Sequence, residues 1–377
     1  MWAEVDLDAV RHNAAWLAAL VAPAGLCAVV KAYGYGHGPV RVAEAALAGG
    51  ASWLAVATVE EGLQLRQAGI SEPVLLLSEP LAGAMADVVA AGLTPSLYTG
   101  DGLEAACRAV RSFGAGPLPV HLKVDTGMHR VGATPADAEA LARTVADRPE
   151  LHLDGLFTHF AVADEPEDPT TLVQLAQLHE VAGRLRRAGV RPRTVHAANS
   201  AGAIAFPAAR LDLVRCGVAI YGLAPAPAVA HLCRPLRPAM AVKARVTLVK
   251  RVAAGERISY GLRYRCARDS TIATVPMGYA DGVARRLGTT GGEVLIGGRR
   301  HPIAGTVTMD QLMVDCGDTA VVAGDEAVLL GRQGAEEVGA WEWADRLGTI
   351  AYEVVCGISS RVPRDYLPGP TTGRPGR

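Results

Sequence analysis

The sequence predicts an eight-stranded parallel (β/α)8 barrel followed by a second, mostly β domain. Three observations carry this expectation. Short apolar runs alternate with amphipathic helical stretches eight times before residue 224. A proline-rich stretch then interrupts the alternation. Beyond it the texture changes to short, glycine-bounded runs that alternate in the manner of strands.

The first element, AEVDLDAVRHNAAWLAAL, turns helical after Asp6 or Asp8, either of which can cap it. Candidate strands follow at residues 26–30, 53–57, 74–78, 95–98, 119–124, 153–158, 194–198 and 213–216. Between them lie helical stretches such as VRVAEAALAGG, VEEGLQLRQAG and TTLVQLAQLHEVAGRLRRAGV. In the last, Leu172, Leu175, Ala176, Leu178, Val181 and Leu185 recur at helical spacing. Strand and helix repeated eight times is the pattern of a closed barrel, with an open doubly wound sheet as the rival; the count of eight favours the barrel. Residues 224–238, APAPAVAHLCRPLRP, read as a linker. The expected domains are 1–233, the barrel, and 234–368, the β domain, with 369–377 a disordered tail. In the second domain KARVTLVKRV, STIATVPM, EVLIG, LMVDC and EAVLLG read as strands, and VGAWEWADRLG as a helix.

Composition narrows the function. Half of the 377 residues are hydrophobic and only four are Phe, so the core is aliphatic. Lys and Arg number 37 against 38 Asp and Glu, and a net charge of −1 offers no electrostatic footprint for nucleic acid or an anionic membrane. Seven cysteines, irregularly spaced and without a C-x-x-C pair, argue against a disulfide framework and a zinc site. The N-terminus is acidic where a signal peptide needs a basic head, and no apolar run is long enough to span a bilayer. A cytoplasmic protein with a small-molecule substrate is the expectation.

In such a barrel the chemistry sits at the C-terminal ends of the strands. Lys31 follows the first strand, in AVVKAYGYGHG. KVDTGMHRVG places Lys123 inside the fifth strand and Arg130 beyond it. His159 ends the sixth, Asn199 and Ser200 follow the seventh, and Arg215, Gly217 and Val218 lie at the eighth. Loops after the seventh and eighth strands are the usual phosphate site, and here they offer a hydroxyl and backbone N–H groups beside a permanent cation. A lysine emerging from an apolar strand loses hydration, which lowers its pKa and suits it to Schiff-base chemistry. Lysine plus phosphate cradle is what pyridoxal phosphate requires. Each residue alone has a plainer reading. A strand-end lysine is usually a solvated cap, a histidine a hydrogen-bonded core residue, and Asn-Ser a helix cap. The glycines of GYGHG can serve only a sharp turn. The coincidence of all the strand ends carries the functional reading.

These segments resemble the alanine racemases. VVKAYGYGHG is similar to that family's cofactor-lysine segment. KVDTGMHRVG, THFAVADE, ANSAG, VRCGVAIYGL, ISYG, VPMGYADGVARR, TVTMDQ and TIAYEVVC follow in the family's order, from Lys31 to Cys356. The resemblance implies that Lys31 binds pyridoxal 5′-phosphate and acts as one proton-transfer base. It implies that Tyr260 is the second base, reaching the opposite face of the α-carbon from the partner subunit of a homodimer. Tyr35, Ser200, Gly217, Val218 and Tyr352 would bind the phosphate, with Asn199 beside them. Arg215 would face the pyridine nitrogen, and His159 would orient Arg215 and Tyr260. Arg130 and the Met309 backbone would hold the substrate carboxylate. Lys123 matches a lysine that is carbamylated in many relatives.

The implied roles are physically coherent. Inverting a stereocentre without releasing the carbanion needs a base on each face. An arginine, with a pKa above ~12, cannot surrender its proton to a ring nitrogen, which weakens the ring as an electron sink and favours reprotonation at the α-carbon over transamination. The implied activity is interconversion of L- and D-alanine, supplying D-alanine for peptidoglycan. A serine or broad-specificity racemase, a related decarboxylase and a non-catalytic pyridoxal-phosphate carrier are the alternatives. Tyr260 and Arg215 argue against the decarboxylase, and residues 239–366 against the carrier. One departure stands out: many relatives carry a basic residue three before Met-Asp-Gln, near the substrate channel, where this chain has Thr306.

Overall fold

Strand β1 (Trp2–Asp6) opens the chain, and eight parallel strands after it close into a barrel. They are β2 (Gly25–Val29), β3 (Trp53–Val56), β4 (Val74–Leu76), β5 (Thr94–Leu97), β6 (Leu118–Lys123), β7 (Leu151–Phe157), β8 (Thr194–His196) and β9 (Leu213–Cys216). This computed structural model describes residues 1–367. Each strand pairs with the next, and β2 closes on β9 with Cys27 opposite Arg215 and Ala28 opposite Cys216. All eight expected strands are present, each within two or three residues of its expected ends. The helix expected after Asp6 runs Leu7–Val21.

Helices cover the outer faces of the strands, so β4 and β5 are buried throughout. Their boundaries follow local chemistry. Thr58 and Glu61 form a capping box at the start of helix Val59–Gln67. Thr99 caps helix Gly100–Phe113, which stops at left-handed Gly114. Alternation along the strands turns polar side chains inward at several levels, including Ser96, His121, Lys123, His196 and Arg215, all buried.

The second unit is mostly β. Its main sheet contains β10 (Met240–Arg245), β15 (Glu293–Ile296), β16 (Arg299–Pro302), β18 (Glu326–Gln333), β19 (Glu336–Val338) and β20 (Arg364–Leu367), joined by β1. A three-stranded sheet orders β11 (Leu248–Val252), β14 (Ser270–Val275) and β17 (Leu312–Asp315). A short ribbon pairs β12 (Arg257–Ile258) with β13 (Tyr264–Arg265). The expected helix is present at Ala340–Leu347, and a second, Ala351–Cys356, follows it.

The division of the chain differs from the sequence expectation in three places, one of them the boundary, which falls after Arg237 rather than after Cys233. Met1–Asp8 and Tyr35–Gly38 group with the chain from Pro238 onward, whereas Ala9–Gly34 and Pro39–Arg237 form the barrel unit. The reasons are local. β1 runs antiparallel to β10 and parallel to β20. Gly36 and Gly38, both at positive φ, lie so close to the Val355 carbonyl and the Tyr366 hydroxyl that a Cβ on either would collide. Arg364 also donates from Nε to Gly36 O at 2.9 Å. The expected tail, 369–377, lies outside the described residues. No helix among the described residues is long and apolar enough to cross a membrane.

Candidate active site

Lys31 leaves β2 directly into a left-handed turn. Ala32, Tyr33, Gly34 and Tyr35 have φ of 52°, 56°, 59° and 50°. Left-handed backbone costs roughly 1–2 kcal/mol per non-glycine residue, so strain is stored where the lysine emerges. Specific bonds hold the turn. Gly34 N–H donates to Val30 O at 3.0 Å, and Ala32 N–H to Glu61 Oε1 at 2.6 Å. The other Glu61 oxygen accepts from Ala57 and Thr58 N–H, at 2.8 and 3.3 Å. One carboxylate thus fixes the end of β3 and the backbone beside Lys31.

Arg215 lies inside the barrel, 2% exposed. Its Nη1 donates to His196 Nδ1 at 2.7 Å. Its Nη2 reaches Thr158 O at 2.8 Å, Ala197 O at 3.0 Å and His159 Nδ1 at 3.2 Å. The guanidinium carbon sits 5.0 Å from the Phe157 ring centroid. Burial lowers the arginine to about 10, which still leaves it charged at neutral pH. Its Nε–H has no hydrogen-bond partner among the described residues, so that donor remains for a ligand atom.

Three further groups share this field. Lys123 Nζ donates to Leu77 O at 2.7 Å, and burial followed by the charges of Arg215, Arg130 and Lys31 lowers its pKa to about 7. His159 is held well below the ordinary histidine range by burial and then by the same cations with Lys123. Gln174 Nε2 donates to His159 O at 3.2 Å while its Oε1 accepts from Ala161 N–H at 2.9 Å, fixing the segment after β7. Arg130, exposed, lies on a loop closed by Asp125, whose Oδ1 accepts from Gly127 and His129 N–H at 2.9 and 3.0 Å.

The ends of β8 and β9 bring together Asn199, Ser200, Gly217 and Val218. Asn199 Oδ1 caps the short helix Ser200–Ala205 through Gly202 N–H at 2.9 Å. Ser200 Oγ accepts from Gly217 N–H at 2.9 Å, leaving its own proton to donate. Val218 N–H begins a 3-10 turn, Val218–Tyr221, and makes no hydrogen bond among the described residues. Hydroxyl and backbone donors converging at two strand ends fit a phosphate group. Together with Lys31 and the unspent Arg215 Nε–H, they fit pyridoxal phosphate.

The remaining expected residues lie in the second unit. The rings of Tyr35 and Tyr352 are 6.2 Å apart and inclined at 46°. Tyr260 is 68% exposed, on the loop between β12 and β13, where Ser259, Gly261 and Leu262 all have positive φ. Ile258 and Cys266 anchor that ribbon in an apolar cluster with Ile272 and Ala304. Met309 O accepts from Ala280 N–H at 3.0 Å, whereas Met309 N–H makes no hydrogen bond among the described residues. Thr306, which the sequence associated with a substrate channel, is buried. Its Oγ1 donates to Tyr260 O at 3.0 Å and its carbonyl accepts from Ser259 Oγ at 2.5 Å, so it clamps the Tyr260 loop.

Sequence reasoning missed His121, His196, Asp154, Glu61 and Gln174. A search for polar residues beyond strand ends passes over His121, inside β6, and His196, the last residue of β8. The signal was available two residues before Lys123: alternation puts His121 on the same inward side.

The fold and site define a barrel enzyme built around a strand-end lysine, a cationic interior and an anion cradle. Residues 5–225 match the alanine racemase N-terminal domain, and residues 239–366 the alanine racemase C-terminal domain. The chain is 51% identical to the alanine racemase of Symbiobacterium thermophilum over 366 residues, covering 97% of this chain and 96% of that one. It is 46% identical to the alanine racemase of Thermobifida fusca over 373 residues, covering 97% of each. Among solved structures, the alanine racemase of a D-cycloserine-producing Streptomyces lavendulae superposes with a TM-score of 0.93 at 40% identity, covering 98% of this chain and 97% of that one. The Bacillus anthracis alanine racemase with bound L-Ala-P gives 0.90 at 37% identity, covering 97% and 95%. The chain belongs to the alanine racemase family.

Proposed function

We propose that this protein interconverts L- and D-alanine with pyridoxal 5′-phosphate bound at Lys31, in the cytoplasm, as a homodimer whose active sites are shared between subunits. The product D-alanine would serve peptidoglycan synthesis. The observation that carries the reading is the buried Arg215, held charged with its Nε–H unspent, in one electrostatic field with Lys31 and Lys123. When bound, the cofactor supplies an electron sink for the α-carbon. Lys31 Nζ moves a proton on one face of that carbon, and Tyr260 Oη, from the partner subunit, moves one on the other. Arg215 keeps its proton toward the pyridine nitrogen. His159 accepts from Arg215 at Nδ1 and therefore carries its proton at Nε2, where it can orient Tyr260. Ser200 Oγ, Val218 N–H, and Tyr35 and Tyr352 bind the phosphate, with Gly217, whose N–H holds the Ser200 oxygen, lining the cradle and Asn199 holding the Ser200 turn. Arg130 and Met309 N–H bind the substrate carboxylate.

Lys123 fits carbamylation because an amine at about 7 is substantially neutral at physiological pH. Its neutral nitrogen attacks carbon dioxide and releases one proton, placing an anion among the neighbouring cations. The proposal is tested with purified protein. Borohydride should fix the cofactor onto Lys31, and Lys31→Ala should lose both the label and racemisation, by about 10²-fold or more. A label on another lysine, or full racemisation by Lys31→Ala, overturns the reading.

A further inference from the structure

Arg215 is a buried cation with no carboxylate among its hydrogen-bond partners. A buried charge without compensation is strongly unfavourable, so its balancing charge must be sought further away. The nearby Cys27 and Cys216 thiols are pushed up to about 12 by burial and stay neutral. The donors and acceptors lead elsewhere. A guanidinium only donates, so His196 Nδ1, 2.7 Å from Arg215 Nη1, accepts, and His196 carries its proton on Nε2. His196 Nε2 is 2.9 Å from His121 Nδ1. That proton is donated to His121, which therefore also carries its own proton on Nε2. The reverse order would leave His196 accepting at both nitrogens, an imidazolate.

His121 Nε2 lies 3.5 Å from Asp154 Oδ2 and makes no hydrogen bond among the described residues, so its link to the carboxylate is electrostatic, across that distance. Asp154 is 4% exposed. It accepts from Arg193 Nε at 2.8 Å and Nη2 at 3.0 Å. Arg193 precedes β8 and is 67% exposed at the N-terminal end of the strands. Packing fixes the chain of rings. Phe157 stacks on His196 at 4.7 Å and 4°, and a Cβ at Gly155 would collide with the His121 ring. Burial, followed by the charge of Arg215, holds His196 neutral.

We propose that Asp154 is the counter-charge of Arg215, relayed through His121 and His196 as two neutral imidazoles protonated at Nε2, and that this chain positions Arg215 from the opposite end of the barrel. Asp154, His121 and His196 are then positioning residues. Their bearing on the cofactor rests on the reading of Arg215 given above; the chain of imidazoles does not.

Nitrogen-15 NMR of the histidine-labelled holoenzyme tests this. At least two of the ten histidines should be neutral Nε2–H tautomers that do not titrate between about pH 6 and 8.5. Their signals should vanish in His121→Asn and His196→Asn respectively. In Asp154→Asn both sets of ring shifts should move, and the cofactor dissociation constant should rise about tenfold, as for outer partners of an anchored group. Asp154→Glu should recover part of each. A wild-type spectrum in which every histidine titrates in that range, or Nδ1–H tautomers at His121 or His196, overturns the proposal. So do His196 shifts that ignore Asp154→Asn. Shifted imidazoles with unchanged cofactor affinity would uphold the counter-charge and instead remove Arg215 from the cofactor's ring.

Discussion

Arg215 and Tyr260 are placed by opposite means. Arg215 is enclosed by two imidazoles, two carbonyls and the Phe157 face, on a strand that closes the barrel. Tyr260 stands out from a strained loop whose backbone is clamped by Thr306 while the ring is left exposed. In the proposed reaction Arg215 must never give up its proton, whereas Tyr260 must pass one on. The group that stays charged is embedded in the core, and the group that exchanges a proton is presented outward. Stability and chemistry should therefore separate between the two residues.

The sharpest separation is expected at Tyr260. Tyr260→Phe should lower racemisation by about 10²–10⁴-fold. Its urea unfolding free energy should stay within about 0.5 kcal/mol of wild type. A matching loss of stability would break the comparison. Arg215→Ala should do the reverse in the melt, costing about 3–5 kcal/mol because acceptors that faced a cation are left buried. Arg215→Glu should raise the share of turnovers ending in transamination, and unchanged partitioning would contradict the assigned role.

Acid should weaken the barrel next. His121, His159 and His196 are all depressed in the folded state, chiefly by burial. Above roughly pH 6.5 neither state binds these protons, and stability is full. As the pH falls below that value the unfolded chain takes up protons the folded chain refuses. Stability should then fall by up to about 1.4 kcal/mol per pH unit for each histidine until its folded pKa is reached. Urea melts between pH 7 and 5 read this slope directly, and a flat profile would mean the rings are charged when folded. Asp154, lowered by His121 and Arg193 donors against the burial that raises it, adds a loss in the same direction at lower pH.

Two smaller changes probe the supports. Gly155→Ala should cost about 1–3 kcal/mol by driving a methyl into the His121 ring. Thr306→Val should cost about 1 kcal/mol, the value of one hydrogen bond, and reduce kcat without changing cofactor affinity. Equal effects on both would place Thr306 outside the Tyr260 loop's function.

The barrel was legible because parallel strands covered on both faces are continuous apolar runs, as in CAVV and VLLL. β1 was not, because five residues, WAEVD, alternate too briefly to distinguish from the approach to a helix, and β10 and β20 are distant in sequence. The positions of Lys31, Ser200 and Arg215 at or just beyond the ends of β2, β8 and β9 were legible from the strand pattern. The imidazole chain was not: His121 and His196 are 75 residues apart, and only barrel closure brings them to 2.9 Å. Thr306 could be noticed as a departure, but its clamp on Tyr260 depends on a loop conformation that the sequence does not display.

The most direct measurement follows the α-hydrogen. Each enantiomer of alanine is incubated in deuterated water with wild type and with Tyr260→Phe, and exchange is followed alongside inversion. With a base on each face, wild type should deuterate and invert both enantiomers. Tyr260→Phe should still wash out the α-hydrogen of one enantiomer through Lys31 while inverting neither at an appreciable rate. Inversion at the wild-type rate by Tyr260→Phe, or exchange of both enantiomers at equal rates in that variant, would contradict the two-base account.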